Sequence, residues 1–169
     1  MSRAFVKELD ENLDDVNLPE KPQSEHTNYM TLQGLEKIKM HLNDHRRRYA
    51  KLKEQEDKLS AKNQIKPLEA EIRYLEKRIQ CVIPVDVNAQ SSDDIRFGAT
   101  VELIDEEDKR YTFMIVGEDE VEVERGLISW VSPLARELLG KQVGDYIIWK
   151  RPAGDMELEI LSFTYKNTD

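Results

Sequence analysis

Between Thr31 and Val82 the chain follows a seven-residue rhythm. The seam positions Leu35, Ile38, Leu42, His45, Tyr49, Leu52, Glu56 and Leu59 alternate intervals of three and four, and Leu68, Ile72, Leu75, Ile79 and Val82 repeat the pattern. Helices keep one stripe facing a partner in this way. Thr31 is placed to cap the first helix, with Met30 and Leu35 on either side of it as a hydrophobic staple. Ser60-Ala61-Lys62-Asn63 interrupts the rhythm, and Pro67 suits the first turn of a returning helix, where a missing N–H costs nothing. The pattern predicts an antiparallel hairpin with arms of roughly 28 and 16 residues, about 42 and 24 Å long.

Beyond it, Ile83-Pro84-Val85-Asp86 breaks the helix and residues 84–95 have the composition of a linker. Strand-like alternation follows at 99–104 and 110–116, then in short runs at Leu127–Trp130 and Tyr146–Lys150. In the last run Met156, Leu158, Ile160 and Leu161 alternate only in part. Ser132-Pro133 opens a short helix that Gly140 closes. The expected fold is α+β: a helical hairpin over 29–83, then a small antiparallel sheet with one short helix over 96–169. Residues 1–28, acidic and poor in apolar side chains, are expected to be a disordered tail.

Charge sharpens this division. The net charge of −9 splits into −4 over residues 1–28, +5 over 29–82 and −10 over 83–169. A basic rod thus projects from an acidic body, a layout that orients a protein approaching a charged partner. No run approaches the roughly 20 apolar residues of a membrane span. The N-terminus lacks the apolar core of a signal peptide, and one cysteine, Cys81, fits a reducing compartment. These features predict a cytoplasmic protein, with Cys81 buried or beside the seam.

Candidate chemistry is sparse. His41 and His45 stand one helical turn apart without the further ligands of a zinc site. There is no glycine-rich phosphate loop and no nucleophile with a supporting base, so the chain is expected not to be an enzyme. Near the tip, Glu54 and Asp57 share a helix face and, with Glu56, are candidate oxygen ligands for a hard cation. Lys53 and Lys58 beside them lower the negative potential such a cation seeks. Arg46, Arg47, Arg48 and Lys51 form the densest basic cluster and are candidates for contact with RNA phosphates.

Several motifs follow one another in an order that resembles the Gre transcript-cleavage factors of bacterial RNA polymerase. They are Met30-Thr31-Leu32-Gln33-Gly34, Phe97-Gly98-Ala99-Thr100-Val101, Ile115-Val116-Gly117-Glu118-Asp119-Glu120, Ile128 to Arg136, Leu138-Leu139-Gly140-Lys141 and Pro152-Ala153-Gly154. The resemblance implies an FKBP-like C-terminal domain that docks on RNA polymerase, and a hairpin that enters the polymerase secondary channel. It assigns docking to Asp119, Glu120, Ser129, Val131, Ser132, Pro133 and Leu134, and DNA binding is part of the same expectation. No metal of the chain's own is implied, only a magnesium ion shared with the polymerase active site.

One motif is missing. The family's tip carries a Gly-Asp-Leu-x-Glu-Asn type sequence whose acids help hold that magnesium, whereas residues 52–60 here are Leu-Lys-Glu-Gln-Glu-Asp-Lys-Leu-Ser. The expected hairpin is also shorter by roughly two turns per arm. Polymerase binding is therefore expected to survive better than stimulation of cleavage. The alternatives are a channel-blocking regulator and a generic coiled-coil adaptor. A prolyl isomerase suggested by fold alone is a weaker one.

Overall fold

The computed structural model describes residues 21–55 and 59–166. Most of the expected tail, residues 1–20, lies outside the described residues, as do Glu56 and Asp57 at the tip.

Strand β1 (Tyr29–Thr31) leads into helix α1 (Leu32–Lys53), and α2 (Leu59–Gln80) returns to β2 (Ile83–Val85). Thr31 caps α1 as its sequence suggests, its hydroxyl accepting from the Gly34 N–H at 2.9 Å. Ile38 and Leu42 of α1 are buried, as are Ala61, Ile65 and Leu68 of α2.

The second arm corrects the sequence reading. It begins at Leu59, so Ser60 to Asn63 are helical and Pro67 lies inside the helix. An interior proline removes one backbone hydrogen bond and costs about 3 kcal/mol. Burial of Ala61 and Ile65, one turn apart ahead of the proline, offsets that cost, because each apolar side chain buried is worth about 1.5–3 kcal/mol when it is large. Pro67 itself faces solvent, so the carbonyl it frees can bond to water. The arms come out equal, at 22 residues each. Leu59, assigned to the first arm, instead opens the second and is 73% exposed.

At the hairpin root β1 and β2 pair in parallel, Met30 against Pro84. The body is a five-stranded sheet made of β3 (Thr100–Ile104), β4 (Arg110–Val116), β5 (Leu127–Ser129), β6 (Tyr146–Trp149) and β7 (Met156–Thr164), in the order β5-β4-β3-β7-β6. Its pairings are antiparallel except β4 with β5. Two 3₁₀ turns, Glu118–Glu120 and Val123–Arg125, bring the chain back alongside β4. The return ends on Gly126 at φ 70°, where an added Cβ would lie 2.5 Å from the Thr112 carbonyl oxygen, so only glycine fits. The partial alternation of the last strand has a local cause. Glu102 pairs with Ser162 and Leu103 with Ile160, so Leu161 is the extra residue of a bulge.

Val101, Leu103, Ile115, Ile147, Leu158 and Ile160 form one face of the sheet, against which α3 (Pro133–Leu138) packs Leu134, Ala135 and Leu138. On the other side a smaller cluster of Met114, Val116, Leu127 and Val87 lies beneath the hairpin root. Val87 and Ile95, from the expected linker, are both fully packed.

Candidate functional site at the hairpin root and tip

The 3₁₀ turn Glu118–Glu120 joins the body to the hairpin through three consecutive carboxylates. Glu120 turns inward beneath the start of α1 and accepts from the backbone N–H of Thr31 at 3.0 Å and of Gly117 at 2.9 Å. It accepts the Thr31 hydroxyl as well. The capping residue of α1 is thereby held from both sides. The same contact crowds Gly34, since a Cβ there would lie 2.0 Å from Glu120 Oε1 and the carboxylate would have to move.

Asp119 has its backbone at the surface and its carboxylate turned in, the side chain being 16% exposed. It receives Nε of Arg78 at 2.5 Å and the Tyr74 hydroxyl at 3.1 Å. Arg78 is only 2% exposed and completes its coordination with Nη2 on Asn28 Oδ1 at 2.5 Å. Asn28 returns a hydrogen bond to the Arg78 carbonyl at 2.8 Å. A buried guanidinium is tolerable only with partners of this kind. Burial first, and the Asp119 carboxylate second, raise the Tyr74 hydroxyl above its ordinary pKa of 10.0.

Glu118 reaches the N-terminal segment, accepting from Ser24 at 3.0 Å and lying 3.6 Å from His26. Lys21 bonds Glu71 at 3.2 Å and lies over the Tyr74 ring. Residues 21–28, expected to belong to a disordered tail, therefore pack along α2 and the body. Cys81, expected to be buried or beside the seam, is exposed, with Sγ near Asn28 and the Arg78 carbonyl. Between root and body opens a cleft of about 320 Å³, lined by Lys37 and His41 on one side and Glu120 and Glu122 on the other.

The expected docking residues separate into two groups. Asp119 and Glu120 bond within the molecule through their carboxylates, and Leu134 is buried in the core. Ser129, Val131 and Ser132 are half-buried and Pro133 is exposed. Ser132 caps α3 by accepting from Ala135 N–H at 3.2 Å. This segment adjoins Trp130, whose ring meets Tyr29 edge-on at 5.4 Å. Sequence reasoning missed Arg78, Asn28 and Thr31 as the acids' partners. Arg78 occupies a position off the apolar seam, where a basic residue ordinarily faces water, and only the approach of the body buries it.

The basic cluster is also divided. Arg46 bridges to Glu76 at 2.7 Å and Arg48 to Gln64 at 2.7 Å, both across to α2. Arg47 is 80% exposed, and Lys51 is exposed in the last turn of α1. Of the tip acids only Glu54, exposed at the end of α1, is described. Among the described residues no three His, Cys, Asp or Glu side chains converge on one point. Among the described residues no helix is long and apolar enough to cross a membrane.

Comparison with known proteins bears on the whole assembly. Residues 90–165 match the family described as "Transcription elongation factor, GreA/GreB, C-term". The chain is 40% identical over 123 residues to transcription elongation factor GreA of Alkalilimnicola ehrlichii, covering 70% of this chain and 77% of that one. It is 38% identical over 114 residues to transcription elongation factor GreB of Neisseria meningitidis, covering 67% and 70%. The crystal structure of GreA factor homolog 1 from Thermus thermophilus is 25% identical, covers 82% of this chain and 99% of that one, and overlays with a TM-score of 0.38, too loose to carry detail. These names correct the expectation that the chain is not an enzyme: they give a role in transcription elongation and say nothing for or against catalysis. DNA binding likewise finds no support in them. With identity near 40% over more than two thirds of its length, the chain belongs to the GreA/GreB family of transcription elongation factors.

Proposed function

We propose that the chain acts on bacterial RNA polymerase in the cytoplasm, with its C-terminal domain docked at the rim of the secondary channel and its hairpin inside it. The observation that carries this reading is the rigid coupling of a basic rod to an acidic body. Two 22-residue helices extend about 33 Å, and the Arg78–Asp119 and Thr31–Glu120 contacts fix their direction at the root. A probe that must enter a channel needs a stiff mounting, since every soft hinge would add an ordering cost on binding.

Docking falls to Ser129, Val131, Ser132 and Pro133. Asp119 and Glu120 support that surface from inside. Arg47 and Lys51 are the arm residues best exposed towards nascent RNA, whereas Arg46 and Arg48 would first exchange their partners on α2. Occupancy of the channel is favoured over stimulated cleavage, because residues 52–60 lack the family's acidic tip motif. Glu54, Glu56 and Asp57 are then the candidates to share the polymerase magnesium.

Backtracked elongation complexes supply the test. Alone, the protein should release little cleaved transcript, and in competition it should suppress cleavage by a competent Gre factor in proportion to its occupancy. Robust cleavage that disappears in Glu54→Ala or Asp57→Ala would overturn occupancy and make the tip acids metal ligands.

A further inference from the structure

The five-stranded sheet ends in two edges that are finished differently. At one edge β5 is covered: Glu122 and Leu127 exchange backbone hydrogen bonds at 3.0 and 3.2 Å across the returning turn. At the other, β6 pairs with β7 alone, and among the described residues no strand lies on its outer side. An open edge is ordinarily blunted by a proline, a bulge or a charge within the strand. Tyr146-Ile147-Ile148-Trp149 has none of these. Tyr146 and Ile148 are exposed on the face away from α3, while Ile147 is buried with the core.

The direction of the backbone follows from the pairing with β7. Ile160 N–H donates to the Asp145 carbonyl at 2.9 Å, and antiparallel ladders alternate bonded and non-bonded positions. Ile147 and Trp149 therefore bond to β7, whereas Tyr146, Ile148 and Lys150 turn their N–H and C=O groups outward. Charge is ordered along the same stretch. Asp145 precedes the four apolar residues, and Lys150 and Arg151 follow them. Arg151 lies over the Trp149 ring with its Nε buried and unbonded, and Asp145 accepts from the Gln142 N–H at 2.8 Å. An order of acid, apolar run and base is complementary to itself when the strand is reversed.

We propose that β6 is a self-association edge, at which two copies of this chain pair antiparallel about a two-fold axis through Ile148 and join their sheets into one. In that register Ile148 faces Ile148 of the second copy, Tyr146 faces Lys150, and Asp145 faces Arg151. Roughly six backbone hydrogen bonds form between the outward-turned groups. Lys150 also comes within reach of Glu159 of the second copy, the carboxylate that accepts the Tyr146 hydroxyl at 3.1 Å. The occupant is a second copy because one alignment satisfies the open backbone, the exposed Ile148 and both charged ends. Each copy uses up its edge, so assembly closes at two rather than growing. The strand is four residues long, which places the interface in the small, transient class below about 1,200 Å². The hairpin root sits over Met114, Val116 and Leu127 of β4 and β5, so pairing through β6 at the opposite edge leaves it open.

Sedimentation equilibrium of the full chain, from about 10 μM to about 1 mM, tests the assembly without polymerase. A reversible rise from the mass of one chain to that of two is expected. Ile148→Lys sets like charges against each other on the axis and should weaken association at least about tenfold. Because Ile148 is exposed, the melting temperature of the dilute protein should not change. The register has its own readout. In a Cys81→Ser background, Ile148→Cys should give a disulfide-linked dimer under mild oxidation, since directly opposed residues of a bonded pair lie about 5.5 Å apart at Cα, within disulfide reach. Tyr146→Cys should link far more slowly, because the two thiols are offset by four residues, about 14 Å along the strands. A single-chain mass throughout, growth beyond two chains, a dimer that survives Ile148→Lys, or equal linking at positions 148 and 146 each overturns the proposal. The first of these would leave the edge to an extended segment of another protein.

Discussion

Arg78 at the hairpin root and Arg46 along its shaft each reach a carboxylate, Arg78 at 2.5 Å and Arg46 at 2.7 Å. Their surroundings differ completely. Arg78 is 2% exposed and its pair is ringed by Asn28 and Tyr74, while Arg46 is 54% exposed and could trade Glu76 for water. Similar ion-pair geometry therefore serves two purposes. At the root, a charge with no access to water makes one arrangement of rod and body far better than any other. Along the shaft, the pair mainly keeps the rod soluble, and its side chains remain available to phosphates.

The sharpest way to break this comparison is to remove both arginines in turn. Arg78→Met should cost about 3 kcal/mol, because Asp119 is left buried without its partner, whereas Arg46→Met should cost less than about 1 kcal/mol. Urea unfolding midpoints measure both, and equal losses would erase the distinction drawn here. Second in size is Glu120→Ala, expected to cost about 2 kcal/mol by stranding the Thr31 and Gly117 N–H groups. Hydrogen exchange at those two amides should accelerate well before exchange in the sheet does.

Gly34→Ala sharpens the same point from the helix side. Alanine ordinarily gains about 0.5–1 kcal/mol over glycine within a helix. Here the new methyl would displace the Glu120 carboxylate, so a net loss of about 1 kcal/mol is expected from the broken hydrogen bonds. In the double variant with Glu120→Ala, the alanine should become neutral or stabilising. The smallest effect concerns alkali. The folded-state pKa of Tyr74 lies above its ordinary 10.0, so the stability linked to its proton is fully present below pH 10 and is lost as pH rises through the folded value. Tyr74→Phe should flatten the fall of stability with pH above 10. An unchanged slope would assign that fall to Tyr146 and Tyr165, which are raised as well.

The places where sequence reasoning succeeded share one property: the signal and the contact lie within a turn or two of each other. Thr31 as a cap, Ser132-Pro133 opening α3 and the three-four seam all meet that condition. Pro67 shows the limit. Its local preference for a first turn was overridden by the burial of Ala61 and Ile65 against the other arm, a gain invisible in the sequence of one helix. The bulge at Leu161 is similar, since the count of two residues against one exists only once β7 is paired with β3.

Residue types and their spacing thus determined the two-part architecture, the basic rod, the acidic body and the order of motifs that places the chain in its family. Each of these follows from short-range periodicity or summed charge, which survive without knowledge of what touches what. Tertiary structure alone decided where the acids of Glu118-Asp119-Glu120 point. A carboxylate in a turn is equally at home in water or against a partner. The choice was made by Ser24, Arg78 and Thr31, brought to that turn from 41 to 94 positions away in the chain.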